Sequence, residues 1–129
     1  MVTDPISDFL TRLRNASRVQ KKEMAVPASK IIKAIAKILM EKYFIENFTE
    51  YPAVRGKYAY LTIALRTDQP PLQLKQISKP GQRLYIGYKD IKRIRSGLGI
   101  ALISTSRGVL TGEESRKQKI GGEYLCEIY

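Results

Sequence analysis

Pro70 and Pro71 stand side by side near the middle of a 129-residue chain, behind Thr67-Asp68-Gln69. Each proline lacks a backbone N–H and fixes its own φ, and each pushes the residue before it into an extended conformation. Neither a helix nor a central strand runs through such a pair. The chain is therefore expected to fold as two small domains, residues 1–66 and residues 72–129, joined by a linker at 67–71. With 43% hydrophobic residues the composition is that of a folded protein and excludes wholesale disorder.

The first half reads α-β-α-β-β. Asp4 is placed to cap a helix that Pro5 opens. Ile6, Phe9, Leu10, Leu13 and Ala16 recur there at helical spacing, with Arg12, Arg14, Asn15 and Arg18 on the other side. A short strand, Met24 to Val26, is expected to stop at Pro27. Ser29 can cap a second helix whose apolar stripe is Ile31, Ile35, Ile38 and Leu39, with Ile32 at its border and Lys30, Lys33 and Lys37 facing out. Tyr43 to Tyr51 favours a strand by its aromatics and β-branched residues. After a turn at Val54-Arg55-Gly56-Lys57, Tyr58 to Arg66 alternates like a half-buried strand.

The second half is mainly strand. Leu72 to Ile77 and Arg83 to Ile86 flank a turn at Lys79-Pro80-Gly81-Gln82. Tyr88 to Arg95 is one helical turn or irregular. Ile100 to Ile103 is a buried-strand pattern, Ser104 to Gly108 a turn, and Val109 to Thr111 a further strand. Glu113 to Lys119 suits a short polar helix, with acids first and lysine last. Gly121-Gly122 ends it, and Glu123 to Tyr129 forms the last strand, with Tyr124, Cys126 and Ile128 on one side. The fold class is α+β.

Charge narrows the function. Lys and Arg number 23 against 12 acids, a net +11, which points to a polyanion: nucleic acid first, an anionic membrane surface second. Residues 1–66 carry 12 bases and 6 acids, residues 67–129 carry 11 and 6, so neither half is a basic tail. From Lys75 to Arg107 eight bases face one acid, Asp90. Histidine is absent and Cys126 is the lone cysteine, so no disulfide forms within the chain, and neither a Cys/His zinc site nor a Ser–His or Cys–His pair can be built. No carboxylate cluster has metal spacing, and no phosphate-cradling glycine motif occurs. No cofactor, metal, small-molecule substrate or catalysed reaction is expected. No segment has the roughly 18 apolar residues of a membrane helix, and Met-Val-Thr-Asp-Pro lacks the layout of a secretion signal. A soluble product that works where it is made is expected.

Three groups of residues suit RNA. Ser104-Thr105-Ser106-Arg107-Gly108 sets three hydroxyls, each able to donate and accept, beside an arginine and a glycine; the same residues also compose an ordinary turn. Tyr85 and Tyr88 lie among Arg83, Lys89, Lys92, Arg93 and Arg95, a mix fitted to stacking on unpaired bases, or to a core tyrosine beside a solvated basic face. Arg12, Arg14, Asn15 and Arg18 on the polar side of the first helix, and Ser29-Lys30 at the start of the second, offer phosphate contacts or a plain soluble surface. Cys126 suits a buried small hydrophobe.

Four blocks in order resemble one family, the bacterial-type small-subunit ribosomal protein S-eight. Asp4-Pro5-Ile6-Ser7-Asp8-Phe9-Leu10-Thr11-Arg12-Leu13-Arg14-Asn15-Ala16 is similar to its DPIADMLTRIRNA. Ser78 to Tyr85 resembles SRPGLRIY, Gly97 to Thr111 resembles GLGIAVVSTSKGVMT, and Gly121 to Cys126 resembles GGEILC. The resemblance implies a two-domain α+β protein that binds the central domain of 16S-type ribosomal RNA early in assembly and helps build the platform of the small subunit, beside neighbouring ribosomal proteins. It implies an RNA surface of Ser104, Thr105, Ser106, Arg107, Gly108, Tyr85 and Glu123, with backbone contacts from Asp4, Arg14, Asn15, Ser29 and Lys30. It also implies a cytoplasmic ribosome, or that of a plastid or mitochondrion. Gly112 stands where the family usually has Asp and Ser115 where it has Ala, which weakens the expected cap after Thr111. Glu127 replaces an aromatic. The stretch from Asn47 to Gln76 carries little of the family pattern.

Overall fold

The computed structural model describes residues 4–92 and 99–129. The chain divides into two compact units, one reaching to Leu72 and the other spanning Gln73–Tyr129.

The first unit begins with helix α1, Pro5–Arg18. The extended Asp4 caps it, its carboxylate accepting the Ser7 N–H at 3.2 Å. Ile6, Phe9, Leu10, Leu13 and Ala16 are buried as their spacing predicts. Strand β1 is Glu23–Pro27, so Pro27 is its last residue rather than a stop before it. β1 lies at the edge of its sheet, where a missing N–H is tolerated. Helix α2, Lys30–Glu41, is capped by Ser29, whose Oγ accepts the Ile32 N–H at 3.2 Å. Its buried residues are Ile32, Ile35, Ala36 and Leu39. The inward face is thus turned by about one residue from the expected stripe, and Ile31 and Ile38 are only half-buried.

Strands β2, Ile45–Tyr51, and β3, Tyr60–Leu65, complete an antiparallel sheet of order β1-β3-β2. Leu61, Ile63 and Leu65 point inward, where α1 packs on β1 and α2 on β2. The linker residues fold back on this unit. Arg66 grips Asp68 through two hydrogen bonds of 3.0 and 2.8 Å, Gln69 donates to the Phe44 carbonyl at 2.9 Å, and the Leu72 N–H donates to Ser17 Oγ at 2.8 Å.

The second unit is a five-stranded antiparallel sheet. Its strands are β4 Leu74–Gln76, β5 Tyr85–Ile86, β6 Ile100–Thr105, β7 Gly108–Thr111 and β8 Gly122–Ile128. β8 is the hub: one edge pairs with β6, which pairs with β7, and the other edge takes β4 and β5 end to end. Between those two short strands the N–H groups of Ile77 and Ser78 both reach the Leu125 carbonyl, and Lys79 and Gln82 close the expected turn. Tyr88–Asp90 forms one 3-10 turn.

Two expectations change here. β8 carries a bulge at Leu125: Leu102 pairs with Cys126, but its neighbour Ile103 pairs with Tyr124. Side chains alternate along a strand and an extra residue resets the alternation. Cys126 therefore shares a face with Leu102, whereas Tyr124 joins the opposite face, packing with Ile91, Ala101 and Ile103. Helix α3, Gly112–Lys117, is capped by Thr111, whose Oγ1 accepts the Glu114 N–H at 3.2 Å, so the cap does not depend on position 112. Gly112 has another duty: a Cβ there would come within 2.8 Å of Ile91 Cγ2.

Candidate nucleic-acid interface

The Ser-Thr-Ser segment is not all turn. β6 runs through Thr105 and β7 starts at Gly108, so Ser104 and Thr105 are strand residues and only Ser106 and Arg107 form the bend. Neither bend residue has positive φ; the left-handed position is Gly108, at +99°. A hairpin whose turn is closed by a left-handed residue favours glycine there. Thr105 braces the bend, its hydroxyl donating to the Gly108 carbonyl at 2.8 Å and accepting the Arg107 N–H at 3.0 Å. The Arg107 guanidinium is drawn onto Gln118 at 3.1 Å. Thr105 and Arg107 thus have partners inside the chain. The Ser104 and Ser106 hydroxyls have none among the described residues, and Ser106 is exposed at the tip.

Strand register joins this hairpin to distant residues. Ser104 pairs with Val109 on one side and Glu123 on the other, and Glu123 pairs in turn with Tyr85. Paired residues point to the same face, so Val109, Ser104, Glu123 and Tyr85 make one row across β7, β6, β8 and β5. Tyr85 is 75% exposed, which decides between a core ring and a surface ring. Tyr88 packs against the Ile91–Ala101–Ile103 cluster instead. Glu123 is held in place: one carboxylate oxygen accepts the Ser78 hydroxyl at 2.5 Å and Arg83 Nη1 at 3.1 Å. Ser78, itself buried, also accepts the Leu84 N–H at 3.2 Å. Sequence reading passed over Ser78 and Arg83 as supports of Glu123, because 45 and 40 residues separate them from it.

The Gly121-Gly122 pair permits this row. A Cβ on Gly122 would lie 2.1 Å from the Ser104 carbonyl oxygen, and one on Gly121 would lie 2.4 Å from that of Ile86. β8 enters the sheet against bare backbone on both sides, so the doublet is a packing demand as well as a helix stop.

The first unit holds the other expected residues. Asp4 Oδ1 and Ser29 Oγ each accept a helix-capping hydrogen bond. Lys30 is exposed at the start of α2, Arg14 is half-buried, and Asn15 is exposed. Asn15 lines an open depression of about 530 Å³ with Arg12, Val19, Lys21 and Met24. The site residues therefore form two groups, one in each unit. Lys89 and Lys92 are exposed, whereas Arg93, Arg95, Gly97 and Leu98 lie outside the described residues.

Among the described residues no group of His, Cys, Asp or Glu could hold a metal ion, and no helix is long and apolar enough to cross a membrane. Cys126 is fully buried, and burial, with Glu127 adding to it, pushes its thiol up to about 12.

The family model described as Ribosomal protein S8 matches residues 4–129. The chain belongs to that family. Among its relatives are the protein called Small ribosomal subunit protein uS8 of Thermus thermophilus, 46% identical with all of both chains covered, and that of Bacteroides fragilis, 47% identical over 99% of this chain and all of the other. The uS8 of Acidobacterium capsulatum is 43% identical over 99% of this chain and 98% of its own. Family membership makes the chain a ribosomal protein, a structural constituent of the small subunit.

Proposed function

We propose that this S8-family chain is a primary ribosomal-RNA-binding protein that grips the central domain of 16S-type RNA and helps assemble the platform of the small subunit. The observation that carries this reading is the row Ser104–Glu123–Tyr85, with Ser106 at its margin. A-form RNA conceals base edges in a deep groove, so proteins read bulges, widened grooves and sugar hydroxyls. Short hydroxyls on a rigid sheet suit that task, because they exchange donor and acceptor roles and let backbone come close. Tyr85 offers a ring for stacking on an unpaired base. Glu123, with its charge offset by Arg83, is an acceptor for base amino groups or a 2′-hydroxyl. Arg107, Gly108, Asp4, Arg14, Asn15, Ser29 and Lys30 are the flanking contacts, several of them to phosphate. Neighbouring small-subunit proteins are further partners, and the working place is the cytoplasmic ribosome or its organellar counterpart. No small molecule, cofactor or membrane enters.

The test compares a central-domain RNA fragment with a random duplex. Ser106→Ala is expected to weaken the cognate complex by about 1–3 kcal/mol, the scale for a buried polar partner left unmatched, and to leave the duplex complex nearly unchanged. Equal losses on both RNAs would remove the reading role. Thr105→Ala is expected to weaken both cognate binding and hydrogen-exchange protection of the hairpin, since it unbraces the bend.

A further inference from the structure

The outer face of the first unit's sheet is open at one end and aromatic there. Register sets Pro27, Tyr60 and Tyr51 in one row across β1, β3 and β2, on the face opposite the buried Leu61, Ile63 and Leu65. Tyr51 and Tyr60 stack with ring centroids 4.9 Å apart and planes inclined by 13°. Two residues before Tyr60, Tyr58 is 92% exposed, the most exposed large hydrophobic side chain among the described residues. A concavity of about 260 Å³ opens between Tyr58, Tyr60 and Pro27 on one side and Arg12 on the other. Arg12 is locked: its Nε donates to both Asp8 carboxylate oxygens at 3.1 Å, and Nη1 donates to the Ala25 carbonyl at 3.1 Å. Its planar guanidinium is thus a fixed wall. The hairpin turn beside the patch carries Arg55 and Lys57, and residues 51–60 contain no acid.

The Tyr58 ring contributes little to the fold. A ring exposed to that degree gains little from packing, and three tyrosines beside two free-standing cations are the parts of a stacking platform. The occupant that matches both flat π-faces and positive charge is unpaired, single-stranded RNA. A protein partner would match the rings but would need its own acidic patch. We infer that Tyr58, Tyr60 and Arg12 form a slot for one unstacked base of RNA, with Tyr51 supporting Tyr60 and with Arg55 and Lys57 on the flanking phosphates. The slot is separate from the Ser104–Glu123–Tyr85 row, lying in the other unit. It rests on the reading of the chain as an RNA binder and adds single-stranded RNA as a second class of ligand.

The chain holds eight tyrosines and no tryptophan, so tyrosine emission, quenched by base stacking, reports RNA binding, and the Tyr58 variants assign the part that belongs to the slot. The protein is titrated with a short oligoadenylate, with a duplex of equal length, and with the central-domain RNA fragment. Tyr58→Ala is expected to weaken oligoadenylate binding at least about fivefold, the lower end of the scale for one stacked base, and to leave duplex binding unchanged. Tyr58→Phe, which keeps the ring, is expected to restore wild-type affinity. Far-ultraviolet circular dichroism confirms that both variants fold. Unchanged oligoadenylate binding by Tyr58→Ala overturns the inference, and so does an equal loss on the duplex. So does a variant that binds every RNA normally yet fails to take up a neighbouring protein in a reconstituted particle, because the patch would then be a protein contact. Ser106→Ala separates the two ideas: normal cognate binding by it defeats the proposed function, while a loss confined to Tyr58→Ala on single strands still supports the slot.

Discussion

Glu123 is a carboxylate on a surface read as facing a polyanion, and its neighbours explain how that is tolerated. Arg83 offsets its charge and Ser78 fixes one oxygen, so the group acts as a placed acceptor rather than a loose repulsive charge. Cys126 shows the opposite treatment, a titratable group kept neutral. Burial first, and Glu127 second, lifts its thiol from an ordinary 9.0 to about 12. Between those values the unfolded chain has released a proton that the folded chain still holds, so raising the pH favours unfolding there and has no such effect below pH 9. The Tyr124 phenol, raised by burial and by its hydrogen bond to Glu127, pushes in the same direction. The urea midpoint is expected to fall as pH rises through this window. A midpoint that rises across it would contradict a neutral buried thiol. Iodoacetamide at neutral pH should leave Cys126 untouched until the chain unfolds.

Helix ends supply the clearest logic among the elements. Among the described residues, α1, α2 and α3 each close with a left-handed residue that is not glycine: Gln20 at φ 58°, Tyr43 at 64° and Lys119 at 55°. Each closure has the paired bonds of a Schellman motif, as when Lys119 N–H reaches the Arg116 carbonyl and Ile120 N–H reaches that of Ser115. The left-handed region costs a side chain about 1–2 kcal/mol, and glycine returns part of that relief as unfolded-state entropy. Lys119→Gly is thus expected to stabilise the protein by about 0.5–1 kcal/mol, read as a rise of a few degrees in Tm; a fall in Tm would mean that Lys119 makes a contact worth more than the strain. At the other end of the stability scale, Leu72 bears the first N–H after two prolines that have none, and it is buried against Ser17 Oγ. Ser17→Ala strands that donor and is expected to cost about 1–3 kcal/mol, seen as a lower denaturation midpoint. A neutral substitution would show that water replaces the hydroxyl.

For the molecule as a whole, the even spread of charge matters most. Both halves are basic, and the proposed contacts fall in both units, so binding is expected to release counterions at each unit rather than at one tail. Lys30→Ala should lower the salt slope of cognate binding by about one unit with little change in selectivity; an unchanged slope would strike Lys30 from the phosphate contacts. The elements themselves were legible in the sequence. Asp4-Pro5 and Ser29 announced two helix starts, the Ile6-to-Ala16 spacing named the buried stripe of α1, and the alternation from Tyr58 to Arg66 named the inward side of β3. Such signals act within a turn or a few residues, where backbone groups and neighbours are the whole environment. The stripe of α2 was legible only to within one residue, since Ile31, Ile32, Ile35 and Ile38 offer nearly equal apolar faces and the sheet beneath chooses among them. The sequence by itself determined that this is a basic chain, through its charge, and an α+β chain, through the periods of its apolar residues. Tertiary structure alone decided that Leu125 bulges, that Tyr124 parts company with Cys126, and that residues 85, 104 and 123 share a row. Strand pairing is a choice among distant partners, made by the burial of both faces and by the bare backbone of Gly121-Gly122, and no local pattern encodes it.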